Sequence, residues 1–136
     1  MIDDTILILL ISYFSRLSFQ RAKAFKAPLD FWMAASERTS GDKSRAFQEI
    51  GAYRKLAGDL KGAEAPLRKA MELNPNLAPA MDNLSWVLWD LGKKEEAMQI
   101  ASRCIEKCPQ YGMGWQAYGS FLDGLNGGRA ESSREA

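Results

Sequence analysis

Residues Ala46 to Pro75 read AFQEIGAYRKLAGDLKGAEAPLRKAMELNP, and what this stretch shares with the residues that follow it, as far as Pro109, decides the fold. Phe47, Ile50, Gly51 and Arg54 fall at helical spacing, so they share one face of a helix that ends near Gly58. A second helix carries Ala63, Leu67 and Ala70 on one stripe. It stops before Asn74-Pro75, because the residue before a proline is pushed out of helical geometry. The step from Pro75 to Pro109 is one period. Applied to the whole stretch, it lands on Met81, Leu84, Ser85 and Leu88, then Gly92, then Ala97, Ala101 and Cys104. One further period reaches Trp115, Tyr118, Gly119 and Leu122, with Asn126 where the turn glycines stood.

The chain around this pattern has 136 residues, room for one domain, and an apolar fraction of 46% that suffices for a core. A formal charge of +1 supplies no field to steer the protein onto nucleic acid, so nucleic acid is not an expected partner. Histidine is absent, which removes the commonest general base and the commonest transition-metal ligand together. The only cysteines, Cys104 and Cys108, lie within one helix and its end and cannot staple distant parts of a fold. A reducing, cytoplasmic compartment is the simpler reading. No metal and no cofactor are expected.

Upstream, the apolar run Thr5 to Phe14 is about half of the roughly 20 residues that span a bilayer. Its basic residues Arg16, Arg21, Lys23 and Lys26 follow the run, whereas a cleaved signal peptide places them before it. Phe14, Leu17, Ser18 and Arg21 precede Phe47, Ile50, Gly51 and Arg54 by one position less than a full period, which reads as a worn first unit over residues 1–43. Its second helix starts near Pro28 and buries Leu29, Trp32, Met33 and Ala35 or Ser36. Thr39-Ser40-Gly41-Asp42 makes the next break, with Asp42 or Ser40 as cap. Gly58-Asp59 ends one helix and opens another. Pro66 should bend its helix by deleting a backbone donor, and Pro79 suits a first turn. Glu95 and Glu96 near a helix start, and Arg103 and Lys107 near its end, read as a solvated, well-polarised surface. After Leu125 the sequence NGGRAESSREA has nothing large to bury and reads as a polar tail, or as a short cap over residues 129–136.

These residues resemble the tetratricopeptide repeat, a helix-turn-helix of about 34 residues whose signature sets large residues, a glycine, alanines and a proline at fixed offsets. Residues 44–77 carry it as Phe47, Ile50, Gly51, Gly58, Ala63, Leu67, Ala70 and Pro75, and residues 78–111 as Met81, Leu84, Ser85, Gly92, Ala97, Cys104 and Pro109. Arg54 replaces the usual tyrosine and Ala101 the usual large residue. The resemblance implies an all-α right-handed superhelix, a solenoid of about three and a half helix pairs. A degenerate first repeat covers 1–43, two full repeats cover 44–77 and 78–111, the first helix of an incomplete repeat covers 112–125, and a polar tail covers 126–136. Small residues at Gly51, Ser85, Ala63, Ala70, Ala97 and Cys104 let paired helices approach closely.

Similar proteins bind a partner segment on the concave surface lined by the first helix of each pair, which implies a non-enzymatic scaffold or adaptor for a protein or peptide partner. Turning by 100° per residue puts Asp82, Asn83, Trp86, Trp89 and Asp90 opposite the stripe Met81, Leu84, Leu88. Arg45, Gln48, Glu49, Ala52 and Lys55 stand equivalently in the preceding helix, and Gln116, Ala117, Ser120 and Asp123 in the following one. The expected partner-binding set is therefore Arg45, Gln48, Glu49, Lys55, Asp82, Asn83, Trp86, Trp89, Asp90 and Gln116. The two tryptophans read either as interface anchors or as packing against the first helices of neighbouring repeats. The arrangement that grips a terminal carboxylate in some family members is not met: Asn83 and Arg45 fit, but Glu49, Met113 and Ala117 do not. Catalytic signals are weak, since the S-x-x-K match at Ser40 and Lys43 lies in an inter-helix break without companion motifs. Two further expectations concern partners. Residues 6–26 could hold the protein at a membrane, and an exposed carboxy-terminal repeat could pair with another copy.

Overall fold

Two glycines set the turns of the array. Gly58 and Gly92 both hold φ of +84°, in the left-handed region that other L-residues rarely adopt, and each ends a first helix. In the computed structural model, residues 3–38 and 40–132 are described, the side chains of 18–25, 27 and 128–132 lying outside that description. The helices are α1 (Asp4–Arg38), α2 (Ser44–Leu56), α3 (Leu60–Leu73), α4 (Ala78–Asp90), α5 (Lys94–Lys107) and α6 (Gly112–Ser132), and no strand occurs among the described residues. Asp59 caps α3 by accepting from the Gly62 N–H at 2.9 Å. Pro79 sits in the first turn of α4. Ahead of α2, Asp42 accepts from the Ser44 N–H at 2.8 Å, although Lys43 holds the cap position itself. Thr39 lies outside the described residues.

α2 pairs with α3 and α4 with α5. α4 then rests on both α2 and α3, and α6 on both α4 and α5, so each pair stacks on the one before. This is an all-α solenoid. Ala63, Leu67, Leu84, Val87, Leu88, Ala97, Ala101, Ala117 and Phe121 form one continuous core from α3 to α6. Close approach explains the small residues: a methyl group at Gly51 would collide with Leu67 and press on the Ala63 carbonyl. On the outer side, Arg68 bridges Glu64 and Glu96 at 2.7 Å each, and Lys93 adds a contact to Glu64 at 3.0 Å, strapping α3 to α5. The Arg68 hydrogen bond outweighs partial burial and holds the Glu64 carboxyl below its ordinary range.

Pro66 lies inside α3 and is buried. It cannot donate to the Gly62 carbonyl, the acceptor four residues back. Arg54 of α2 donates to that carbonyl instead, from Nη1 at 2.8 Å. The arginine that replaces the usual tyrosine thus satisfies the acceptor that the proline strands. One unit later the same two positions hold Leu88 and Ile100, an apolar pair with a continuous helix behind it.

Both ends of the chain depart from the sequence reading. Residues 4–38 form one helix without a turn near Pro28, and Pro28 lies within it. Physically, a turn of the Gly58 kind needs a glycine, yet Ala24 stands one period before Gly58 and no glycine precedes Gly41. Without a turn, the amino-terminal half of α1 does not fold back, and Phe14 and Leu17 are exposed at 63% and 44% rather than packed. Ser18 and Arg21 lie outside the described side chains. Only the second half of α1 joins the array. Leu29, Trp32, Ala35 and Ser36 are half-buried, while Met33 is exposed, and among the described residues α1 touches α2 alone. That half holds the place of a second helix. It closes a cleft of about 460 Å³ with Ile50, Pro66 and Lys69, and the same cleft recurs one unit on, at about 400 Å³, over Leu84, Ile100 and Arg103.

At the other end α6 does not stop at Leu125 but continues to Ser132 through Asn126 and Gly127. Gly127 does not take up positive φ, so no turn forms there either. The anticipated tail is helical as far as Ser132, and residues 133–136 lie outside the described residues. Trp115 and Leu122, whose counterparts Met81 and Leu88 are fully buried by α5, are 53% and 40% exposed because no second helix covers them. No helix among the described residues is long and apolar enough to cross a membrane.

Candidate functional site

The first helices α2, α4 and α6 lie side by side, and the faces they turn away from α3 and α5 form one surface. At its centre the Lys55 ammonium donates to the Asn83 Oδ1 at 3.0 Å, joining α2 to α4. Asp82, next along α4, is only 4% exposed, and its Oδ1 has no hydrogen-bond partner. Burial pushes its carboxyl above the ordinary carboxylate range, while the Lys55 charge and the Trp86 indole N–H pull the other way. A buried and only partly compensated acceptor therefore sits next to a bridged amide and ammonium.

The predicted partner-binding residues divide into three groups. Arg45, Asp90 and Gln116 are exposed, and Glu49, Lys55 and Asn83 are half-buried. Gln48 and Asp82 are buried, Gln48 at 8% exposure, so neither offers a broad contact surface. Trp86 and Trp89 are half-buried against one residue of α6. Trp86 meets Phe121 edge-on with centroids 4.8 Å apart, and Trp89 stacks on it at 4.5 Å and 10°. Lys94 lies 5.1 Å over the Trp89 ring. The tryptophans thus pack on the first helix of the next repeat, and Phe121, fully buried between them, is the residue that sequence reasoning missed. Its signal was available: Phe121 lies one period after Val87, itself fully buried. Ala117 is likewise buried, and Met113 exposed.

Cys104 is buried, and burial, reinforced by Asp82 and Cys108, pushes its thiol up to about 11, so it is protonated and inert at neutral pH. Its role is packing between Met81 and Ala78. Among the described residues no cluster of histidine, cysteine, aspartate and glutamate could hold a metal.

The family model for the tetratricopeptide repeat matches residues 78–111. Among solved structures, that of YrrB, described as a tetratricopeptide-repeat protein with an unusual peptide-binding site, aligns with a TM-score of 0.65 at 21% identity over 77% of this chain and 54% of its own. The UNC-45 chaperone, described through features critical for binding and folding muscle myosin, aligns with a TM-score of 0.67 at 16% identity over 88% of this chain and 14% of its own. The chain thus spans about half the length of the first and a small part of the second. No curated protein matches it. The family match at 78–111, the turn glycines one period apart and the stacked helix pairs together give this chain the fold of a tetratricopeptide-repeat array, with one repeat matched in sequence.

Proposed function

We propose that the protein is a non-enzymatic scaffold that holds a segment of a protein partner across α2, α4 and α6, centred on Lys55 and Asn83, with Asp82 buried beneath them. The observation that carries this reading is the half-buried Lys55–Asn83 bridge, which joins α2 to α4 at the middle of the surface. An ammonium has three donors and an amide two, so Lys55 and Asn83 can still donate to the backbone or carboxylates of a bound segment, while Asp82 lies too deep to be reached. Arg45, Glu49, Asp90 and Gln116 supply a mixed-charge rim, which suits a polar segment and orients it more than it strengthens it. Trp86 and Trp89 support the groove from behind, since their rings are engaged with Phe121. YrrB, similar in fold, is described as having a peptide-binding site, which is compatible with this use of the surface.

The test is affinity enrichment from the native host's lysate with the intact protein and with a Lys55→Ala, Asn83→Ala variant, both verified as folded by circular dichroism. A protein retained by the intact chain and lost by the variant supports the reading. Identical capture by both would overturn it.

A further inference from the structure

Among its described side chains, α1 carries a run of large apolar groups exposed to solvent, from Ile6 to Leu17, with Phe31 and Met33 further on. Five of these residues, Ile6, Leu10, Tyr13, Leu17 and Phe31, are exposed at 51%, 43%, 61%, 44% and 64%. Together with half-buried Ala34 they fall on a and d positions of one heptad register, whose middle positions Gln20, Ala24 and Ala27 lie outside the described side chains. Leu7, Ile8, Leu9, Ile11 and Phe14 lie off this register and are exposed as well, so the seam is one strip of a broadly apolar amino-terminal half.

We infer that α1 pairs antiparallel with α1 of a second copy of this chain, so that the exposed amino-terminal half of each lies along the carboxy-terminal half of the other. Three observations fix the occupant and its direction. First, the half of α1 that joins the array stands where a second helix stands in each later pair, and it lacks a first helix of its own. The amino-terminal half cannot supply one within its own chain, because the helix runs straight through residue 24. Exchange between copies is then the low-cost way to complete the pair. Second, antiparallel a-to-d pairing about residue 22 sets Leu10 against Ala34 and Tyr13 against Phe31 of the other copy, a large residue on a small one and ring beside ring. Third, α1 begins with Asp4 and ends with Arg38, so antiparallel pairing brings opposite charges together at both ends, where a parallel pair would bring like charges.

The experiment is sedimentation equilibrium on the full chain, combined with oxidative cross-linking of Leu10→Cys, Ala34→Cys in a Cys108→Ser background. Residues 10 and 34 are roughly 36 Å apart along one helix, so they cannot bridge within a chain. The expected result is a particle of two 15.2 kDa chains that becomes covalent only when both new cysteines are present. A Leu10→Glu, Leu17→Glu variant, altering two exposed side chains, should sediment as one chain with unchanged helix content. A wild-type monomer at every concentration overturns the proposal, and binding of that monomer to phosphatidylglycerol vesicles would assign the apolar face to lipid. Cross-linking by Leu10→Cys alone overturns the antiparallel direction. A dimer that the Leu10, Ala34 pair fails to trap would overturn this interface and move it elsewhere, the open Trp115 and Leu122 face of α6 first.

Discussion

Arg54 and Pro66 form a unit whose members make sense only together. With Pro66 in place, Arg54→Ala strands the part-buried Gly62 carbonyl and should cost about 1–2 kcal/mol in chemical denaturation. In a Pro66→Ala background the restored N–H takes that carbonyl, and the same arginine substitution should cost less than half as much. A cycle with no coupling would mean that the arginine serves only through its aliphatic stem. Asp82 offers a second test at this scale. Its folded pKa lies above the unfolded value near 3.8, so the protonated form suits the fold better, and stability falls as pH rises from 3.8 through the raised folded value. Asp82→Asn should therefore stabilise the array at pH 7 in urea titrations, with the difference from wild type vanishing below about pH 3.8. A gap that persists in acid would assign the effect to packing instead of charge.

At the level of the helix, legibility followed glycine. The pairs α2–α3 and α4–α5 could be read to within a residue or two, because small residues at Gly51 and Ser85, prolines at 75 and 109 and turn glycines at 58 and 92 all agreed. At the ends the apolar spacing persisted while no glycine stood at the turn, with Ala24-Phe25 at one end and Asn126 at the other, and the helix ran on in both places. Periodicity reports which face a helix buries, but a turn depends on whether one residue can adopt positive φ. The groove was legible to a similar extent. A helical wheel placed Trp86 and Trp89 on the side away from α5, yet it holds no information about the ring on the neighbouring helix, so Phe121 emerged only from the packing of α6 on α4. The Lys55–Asn83 bridge was hidden for the same reason: it joins side chains 28 residues apart, on helices that meet only once the repeats stack.

On the scale of the whole chain, the array is a sum of neighbouring contacts, with α4 at its centre the most deeply buried helix and the ends progressively barer. α1 is the largest departure from that compact plan. Its 35 residues make a rod of about 52 Å, against about 20 Å for each of α2 to α5. A globular chain of 136 residues would have a radius of gyration of about 14 Å. Small-angle X-ray scattering of the Leu10→Glu, Leu17→Glu variant, expected to be a single chain, should give a clearly larger value, with a pair-distance distribution that tails beyond the main peak by about the length of the uncovered half-rod. A radius of gyration no larger than the globular value would mean instead that the rod bends back on the array in solution. In scattering terms the absent turn in the middle of α1 is a hydrodynamic feature: a helix that runs on without a glycine to break it gives an otherwise compact particle a handle.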